Sequence, residues 1–211
     1  MKKKCLTGFV IGFLLFGLVC VANATSITTL FASNNEGSQG GNIYFDIAVL
    51  NPAGITIEQL FTNTDDSFQT GQMNVYTRSG SYSGFEGTSA GWTLVSSGTG
   101  SSAGLDNPSG FDITDFFLSQ GVFGIAIESE SAVWGHHYTN GDGTNQFYSN
   151  PDLSLTFGSA TNDPFSGNVF SPRVWNGTIE YTAGAPVPEP ATILLFGIGL
   201  LGLAGVSRRK K

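Results

Sequence analysis

The chain carries a long uncharged apolar run near each end, and these two runs determine which residues are left to form a folded domain. The first run covers residues 5–21 and follows three lysines, and the second covers residues 191–206 and precedes a basic C terminus. Runs of this length and position are typical of targeting and membrane segments. About 160 residues remain between them, which is enough for one domain with a sizeable core.

Residues 1–24 have the three parts of a secretory signal peptide. The basic start is followed by the apolar run, and Ala22 and Ala24 then supply the small residues of an A-x-A cleavage site. We expect cleavage after Ala24, so that the exported chain begins at Thr25. The alternative is lipoprotein processing at Cys20, but Val19 stands where a small residue is required.

Residues 187–211 combine a short motif, the apolar run and a basic end. Two prolines bracket a glutamate and keep the motif extended, because proline lacks an N–H donor and disfavours helix in the residue before it. The uncharged residues that follow would form a helix of about 24 Å, which is short against a hydrocarbon core of about 30 Å. The terminal cations keep the end cytoplasmic by the positive-inside rule. The motif is Val187, Pro188, Glu189 and Pro190, and the membrane stop is Arg208, Arg209, Lys210 and Lys211.

This tail resembles the PEP-CTERM sorting signal of Gram-negative bacteria. The resemblance implies processing by the membrane protease exosortase, a precursor anchored in the inner membrane, and a product at the cell surface or outside the cell. An ordinary single-pass anchor and a buried apolar helix are the alternatives. The predicted division of the chain is a signal peptide at 1–24, a folded domain at 25–183, a linker at 184–186 and the sorting tail, with its transmembrane helix, at 187–211.

The predicted domain lacks cysteine and is strongly acidic. Both cysteines, Cys5 and Cys20, lie in the signal peptide, so neither a disulfide nor thiolate chemistry is available to the domain. Residues 25–186 contain 15 acidic residues, 2 arginines and no lysine, a formal charge of −13. This charge argues against nucleic acid as a partner, because phosphate binding depends on Lys and Arg. It also argues against direct adhesion to anionic lipid or polysaccharide unless divalent cations bridge the carboxylates.

The middle of the chain alternates apolar and polar residues and shows no sustained helical periodicity. One face of residues 42–50 carries only isoleucine, phenylalanine and valine, and we assign it to the core. Residues 98–104 fit a surface loop, residues 26–32 fit a first strand, and residues 111–118 fit either a strand or a short helix. Nine or ten short strands separated by Gly-rich turns predict an all-β fold, a single jelly-roll-like β-sandwich domain.

Three further segments resemble blocks of a secreted bacterial β-domain that occurs in PEP-CTERM surface proteins. They are residues 31–35, 40–46 and 170–178. The resemblance implies the same β-sandwich architecture and an extracellular location. Its association with exosortase implies a structural or adhesive role in exopolysaccharide or biofilm, and no active site comes with it.

Two groups of polar residues are candidates for binding an ion. Asn140, Asp142 and Thr144 supply alternate oxygen ligands on a tight turn that would suit calcium, although the spacing departs from that of an EF-hand loop. His136 and His137 are neighbours on a predicted strand, where they point to opposite faces, so they do not readily chelate one metal together. A plain hairpin turn and structural histidines are the preferred interpretations. We predict no metal site and no cofactor, with calcium left open at the turn.

Acidic and aromatic residues supply two alternatives to a purely structural role. Glu128 and Glu130 lie about 7 Å apart on one strand face, a spacing that a glycoside hydrolase could use together with Asp112 and Asp115. Exposed aromatic rings would instead suit a carbohydrate-binding or calcium-dependent lectin-like module. Because the sequence contains no nucleophile-elbow, phosphate-loop or zinc-protease motif, we predict that the chain is not an enzyme. The candidate aromatic residues are Tyr82, Trp92, Trp134 and Tyr148.

Arg173 is one of only two cations in the predicted domain. We expect it to pack over an aromatic ring or to pair with a buried acid. Either arrangement would make Arg173 a structural residue rather than a ligand-binding one.

Overall fold

The structure is a computed structural model that describes residues 24–64, 68–130 and 133–184. All regular secondary structure in these residues is β-strand. The strands are β1 (Ala24–Thr28), β2 (Asn35–Glu36), β3 (Asn42–Val49), β4 (Ile55–Thr62), β5 (Gly71–Ser79), β6 (Thr93–Gly100), β7 (Ser109–Leu118), β8 (Gly121–Glu130), β9 (His137–Asn140), β10 (Phe147–Ser149), β11 (Leu153–Asp163), β12 (Ser166–Trp175) and β13 (Gly177–Ala183).

These strands form one continuous sheet in the order β1-β13-β4-β7-β6-β5-β8-β3-β11-β12-β9-β2, with β10 paired to β11. The sheet curls, so that strands far apart in this order meet. The Trp175 indole N–H on β12 donates to Thr62 Oγ1 on β4 at 2.8 Å, and the Trp134 ring lies 4.8 Å from the Phe111 ring of β7. The all-β prediction is confirmed, and the layers expected of a sandwich are parts of one curled sheet.

The inner face of the curled sheet holds the hydrophobic core. The four β3 residues predicted to face the core, Ile43, Phe45, Ile47 and Val49, are at most 2% exposed. The Phe45 ring stacks on Trp175 with their centroids 5.4 Å apart. Burying one large apolar side chain contributes about 1.5–3 kcal/mol, so this face is the main source of stability.

Three segments differ from, or resolve, the sequence-based expectations. The first strand starts and ends earlier than the expected 26–32. Residues 111–118 are strand rather than helix. The expected loop at 98–104 begins as part of β6, because Gly98 has no side chain to collide with the Asp112 carbonyl oxygen of β7.

The two ends of the described chain lie at one corner of the sheet. β1 is an edge strand, and Ala24 is paired with Thr182 of β13. Beyond β13, the Gly184 N–H donates to the Gly54 carbonyl oxygen at 2.8 Å, and the Thr56 hydroxyl donates to the Gly184 carbonyl oxygen at 2.8 Å. The described chain therefore begins and ends at the same corner of the sheet.

Candidate functional site

The outer face of the sheet carries polar and aromatic residues on neighbouring strands. Outward positions alternate with core positions along each strand, and the strand register aligns them in rows. Asn42 of β3 and Asn74 of β5 flank Glu128 of β8, and one step along the strands Tyr44 and Tyr76 flank the next outward position of β8. With two residues from the connecting segments, these side chains form what we call the outer patch: Asn42, Tyr44, Asn74, Tyr76, Trp92, Glu128 and Phe165.

A glycine on β8 and a bulge in β11 make room for the outer patch. Gly124 faces outward, and a Cβ placed there would lie 2.7 Å from the Tyr82 backbone nitrogen. The register of β11 against β3 shifts between Phe157 and Ser159, which brings Ser159 opposite Tyr44. Such bulges redirect side chains, and here Ser159 turns outward. The 80–92 loop and the β11–β12 turn contact this part of the outer face.

The 80–92 loop, which connects β5 to β6, covers part of the outer face of the sheet. Asp46 holds one part of the loop, because it accepts the Tyr82 N–H at 2.9 Å and the Ser81 hydroxyl at 2.7 Å. Glu86 holds another part and accepts the Ser159 hydroxyl at 3.3 Å. Burial, together with the charges of Asp46 and Glu86, raises the pKa of Tyr82 to about 12. The loop is thus fixed to the sheet at two carboxylates.

The Tyr44 hydroxyl is the centre of the outer patch. The Tyr44 side chain points away from the core, yet it is fully buried. Its oxygen accepts the Asn42 amide N–H and the Phe165 backbone N–H, each at 3.1 Å, and donates to the Glu86 carbonyl oxygen at 3.2 Å. Burial raises the pKa of Tyr44. The phenol therefore stays neutral. It joins the 80–92 loop and the β11–β12 turn to the sheet.

Phe165 occupies the middle of the aromatic part of the patch. Its ring centroid lies 5.0 Å from Tyr76, 5.6 Å from Trp92 and 6.0 Å from Tyr44. Its backbone φ is 53°, a left-handed conformation that is unfavourable for a bulky side chain. The turn between β11 and β12 thus holds a strained residue whose ring contacts the three other aromatic rings.

Glu128 presents a carboxylate that two neighbouring donors orient. Tyr76 donates its hydroxyl to Oε2 at 2.9 Å, and Asn74 donates its amide N–H to the same oxygen at 3.0 Å. No donor among the described residues reaches Oε1, so this oxygen is free to accept a further hydrogen bond. Burial, followed by the bond to Glu128, raises the pKa of Tyr76 to about 12, and Tyr76 therefore remains a donor at neutral pH.

Asn42 carries an unsatisfied acceptor at the foot of the outer patch. The residue is 1% exposed, and its Oδ1 receives no hydrogen bond from the described residues. A buried acceptor without a donor costs about 1–3 kcal/mol. Such groups call for an explanation, of which a functional role is one.

Both arginines of the domain pack on aromatic rings. The Arg78 guanidinium carbon lies 3.3 Å from the Phe85 ring centroid, which fastens the 80–92 loop to β5. The Arg173 guanidinium carbon lies 5.5 Å from the Tyr138 centroid. For Arg173, the structure therefore selects the aromatic arrangement from the two alternatives that the sequence offered.

The two histidines have separate structural environments. His136 is buried, with Nε2 3.1 Å from the Ile127 carbonyl oxygen and Nδ1 3.4 Å from Thr62 Oγ1. Burial lowers the pKa of His136 to about 4, so the ring is neutral at pH 7. His137 Nε2 instead lies 3.5 Å from the Glu36 carboxylate. The two rings do not share a site.

The four acids considered for glycoside hydrolysis do not converge. Asp112 and Asp115 are exposed on β7, whereas Glu128 and Glu130 lie on β8. The sheet places β6 and β5 between these strands, a separation of about 14 Å at about 4.8 Å per strand. Within the described residues no group of three or more metal-ligating side chains occurs.

The candidate calcium turn is closed by its own hydrogen bonds. Asp142 Oδ1 accepts the backbone N–H and the hydroxyl of Thr144, both at 2.8 Å, and the Asn145 N–H at 3.1 Å. The bonds from Thr144 are the main reason that the pKa of Asp142 is lowered. Asn140 Oδ1 accepts the Asn35 amide at 2.9 Å. Asp142 Oδ1, Asn140 Oδ1 and the Thr144 hydroxyl therefore already have partners within the protein.

The structure separates the four aromatic residues that the sequence grouped as a platform. Trp92 belongs to the outer patch, and Tyr82 lies on the same 80–92 loop. Trp134 is fully buried in the core, where its N–H donates to a backbone carbonyl at 2.9 Å. Tyr148 packs edge-on against Phe157, with the centroids 5.9 Å apart.

Sequence reasoning missed three aromatic members of the patch, Tyr44, Tyr76 and Phe165. Alternation along the strands indicates that Tyr44 and Tyr76 point away from the core, but only the strand register shows that they flank the same strand. Phe165 lies in a turn, where no periodicity marks it. The signal for the first two was present, and the signal for the third was not.

The residues of the two targeting segments fall outside the described parts of the chain, except for Ala24, which lies in β1. No helix in the described residues has the length and apolar character needed to cross a membrane. The predicted residues outside the described parts are Ala22, Val187, Pro188, Glu189, Pro190, Arg208, Arg209, Lys210 and Lys211.

Comparison with known families gives a match on the C-terminal tail. A family model described as the PEP-CTERM protein-sorting motif matches residues 186–210. The match takes in the Pro-Glu-Pro segment, the apolar run and all of the basic end except its last lysine. No curated protein matches the chain.

Proposed function

We propose, from the premise that the chain carries a PEP-CTERM sorting motif and is a substrate of exosortase, that its β-domain is a structural or adhesive component outside the cell and catalyses no reaction. The motif supports an exported precursor, anchored in the membrane and processed for the cell surface. Exopolysaccharide or biofilm matrix is the setting that we propose for the finished protein.

The observation that carries this proposal is the position of the chain ends. Ala24 and Gly184 lie at one corner, beside β4 and β13. The outer patch is centred on β8, and β7, β6 and β5 lie between β4 and β8, a distance of about 19 Å along the sheet. A domain attached at this corner presents the outer patch away from its point of attachment.

A carbohydrate-binding module is the second candidate function. It is favoured by the half-buried aromatic rings of the outer patch beside an oriented carboxylate, since ligand sites combine apolar surface with a few fixed polar groups. The calcium-dependent version of this candidate has less support, because Asp142 is engaged by its own turn.

The first experiment tests delivery by measuring the intact mass of the exported protein from hosts with and without exosortase. We expect a product that begins at Thr25 and lacks the tail only where exosortase is present. Pro188→Ala combined with Pro190→Ala should retain the tail in both hosts. Thr192→Ser is the matched control and should be processed like the wild type. A tail that is kept, or lost, regardless of exosortase would contradict the proposal.

The second experiment tests the structural or adhesive role. Three strains are compared: one that lacks the protein, one that expresses the wild type and one that expresses the unprocessed double variant. The readout is the total protein and the number of cells retained in the washed matrix. We expect the wild type alone to restore retention. Equal retention in all three strains would overturn the structural or adhesive role and leave delivery intact.

A further inference from the structure

We propose that the outer patch is a calcium-independent binding site for a neutral polysaccharide chain, with Trp92, Tyr76 and Phe165 as the stacking surface and Glu128 as the hydrogen-bonding group. The inference rests on the proposed function, because an adhesive matrix protein needs a surface that recognises the matrix. Of the aromatic platform expected from the sequence it keeps only Trp92, and it adds Tyr76 and Phe165.

The aromatic residues provide the apolar part of such a site. Trp92, Tyr76 and Phe165 are all half-buried, so each ring is held by packing and still meets solvent. The Phe165 centroid lies 5.0 Å from Tyr76 and 5.6 Å from Trp92, which makes the three rings one contiguous surface. Rigid, amphipathic aromatic groups bind at low entropic cost, and the C–H face of a sugar ring is a suitable apolar counterpart.

Glu128 provides the polar part of the site. Its Oε2 accepts bonds from Tyr76 and Asn74, and its Oε1 is left as an acceptor for a ligand hydroxyl. Because the carboxylate is already oriented, it loses little rotational freedom when it binds. A hydrogen bond from a hydroxyl to an ionised acceptor is about twice as strong as one between neutral groups.

The charges around the patch select a neutral ligand over an anionic one. Glu128, Glu86 and Asp46 are the nearby acids, and residues 25–186 have a formal charge of −13. The nearest cation, Arg78, is stacked on Phe85, and its guanidinium carbon lies 5.9 Å from the Trp92 ring centroid. An acidic polysaccharide would therefore meet three carboxylates against one cation, which already donates to the Ser81 carbonyl oxygen.

The geometry also argues against an organic cation as the ligand. A cation–π site needs ring faces that surround the charge. Phe165 instead fills the space between the rings and meets Tyr76 edge-on, at an interplanar angle of 81°. The patch is a surface on which a chain can lie rather than a cage that encloses a charge.

The tryptophans provide a direct reporter of binding. Trp134 and Trp175 are fully buried in the core, and Trp92 alone among the three is partly exposed. A ligand on the outer patch should therefore shift the emission of Trp92 and protect it from acrylamide quenching. The probes are cellohexaose, maltohexaose, mannohexaose and xylohexaose, with an alginate hexamer and spermidine as charged comparisons.

The exported, processed protein should bind at least one of the neutral hexasaccharides saturably, equally well in EDTA and in calcium. Calorimetry then compares variants. Trp92→Ala and Glu128→Gln should each weaken binding about tenfold or more. Glu128→Gln retains an oxygen acceptor for Tyr76 and Asn74, so the sheet remains intact. Tyr148→Ala, an aromatic residue outside the patch, is the matched control and should change affinity less than about twofold.

Three outcomes would overturn this assignment. They are no binding of any neutral hexasaccharide, binding that Trp92→Ala and Glu128→Gln leave unchanged, and preferential binding of alginate or spermidine. Circular dichroism and melting temperatures of the variants show whether a loss of binding is a loss of fold. The proposed function is tested separately, by tail processing and matrix retention. A lack of oligosaccharide binding would therefore contradict the patch assignment alone, and a lack of matrix retention would contradict the structural or adhesive role alone.

Discussion

The inner face of the sheet and the outer patch both bury aromatic side chains, but they do so by different means. On the inner face, Phe45 stacks on Trp175 among aliphatic residues, and apolar contacts hold the rings in place. In the outer patch, Tyr44 is equally buried, and its hydroxyl is bonded to the sheet, to the 80–92 loop and to the β11–β12 turn. The inner face therefore supplies stability by apolar burial. In the outer patch, hydrogen bonds between polar groups hold the surface in one arrangement.

The largest effect should come from removing a core ring. Trp175→Ala should lower the free energy of unfolding by about 3–5 kcal/mol, because it leaves a cavity and removes the bond to Thr62. Trp92→Ala should cost only about 1 kcal/mol, because Trp92 is half-buried. Urea unfolding followed by circular dichroism measures both. Equal losses would remove the distinction between the two faces.

The next effect is a pH dependence that belongs to the inner face. The pKa of His136 is lowered to about 4 by burial, below its usual value of about 6.5. His136 therefore binds a proton more readily in the unfolded chain than in the folded one. The free energy of unfolding is unaffected by this above about pH 6.5 and falls by about 3 kcal/mol as the pH drops to about 4. His136→Gln should remove this loss, and His137→Gln should keep most of it. Parallel pH profiles for the wild type and His136→Gln would contradict the prediction.

A smaller effect should follow from removing one oxygen of the outer patch. Tyr44→Phe should cost about 1–3 kcal/mol, because buried donors that now bond to the hydroxyl lose their acceptor. Hydrogen exchange should rise at the Phe165 N–H, which bonds to that oxygen. Tyr148→Phe is the control, with an expected change within about 0.5 kcal/mol. If Tyr44→Phe proved as mild as its control, the polar network would have no part in holding the patch.

The smallest effect is expected at the turn that lies apart from the two aromatic clusters. Adding about 1 mM calcium should move the melting temperature by less than about 1 °C, because Asp142 already bonds within its own turn. Asp142→Asn should respond in the same way. A calcium-dependent rise of several degrees that Asp142→Asn abolishes would show that this turn binds calcium.

Local patterns predicted the core-facing side of β3 and the sorting motif of the tail, but they did not fix every strand. Alternation in β3 predicted which residues face the core, and all four are buried. The ambiguous segment at 111–118 is strand because β7 pairs with β4 and β6 on its two sides. These pairing partners cannot be identified from the sequence of the segment alone. The loop expected at 98–104 begins only after Gly100 for a similar reason, since Gly98 and Gly100 allow β7 to approach closely.

The candidate site was predicted only in part. Trp92 and Glu128 were named from the sequence but assigned to different functions, and Trp134 was placed on the surface although it belongs to the core. Which outward residues become neighbours depends on strand order, and the order of this sheet is far from the order of the chain. The bulge in β11 adds a change of phase that no alternation pattern contains.

By itself the sequence determined the sorting motif of the tail, the absence of cysteine from residues 25–186, the acidic character of that segment and its β-structure. Each of these depends on residues that are close together in the chain or on composition alone. Only the tertiary structure decided that Asn42, Tyr76, Glu128 and Phe165 share a surface and that Ala24 and Gly184 lie at one corner. Both results depend on the pairing of strands that are distant in sequence, which the curled sheet establishes when it closes around its core.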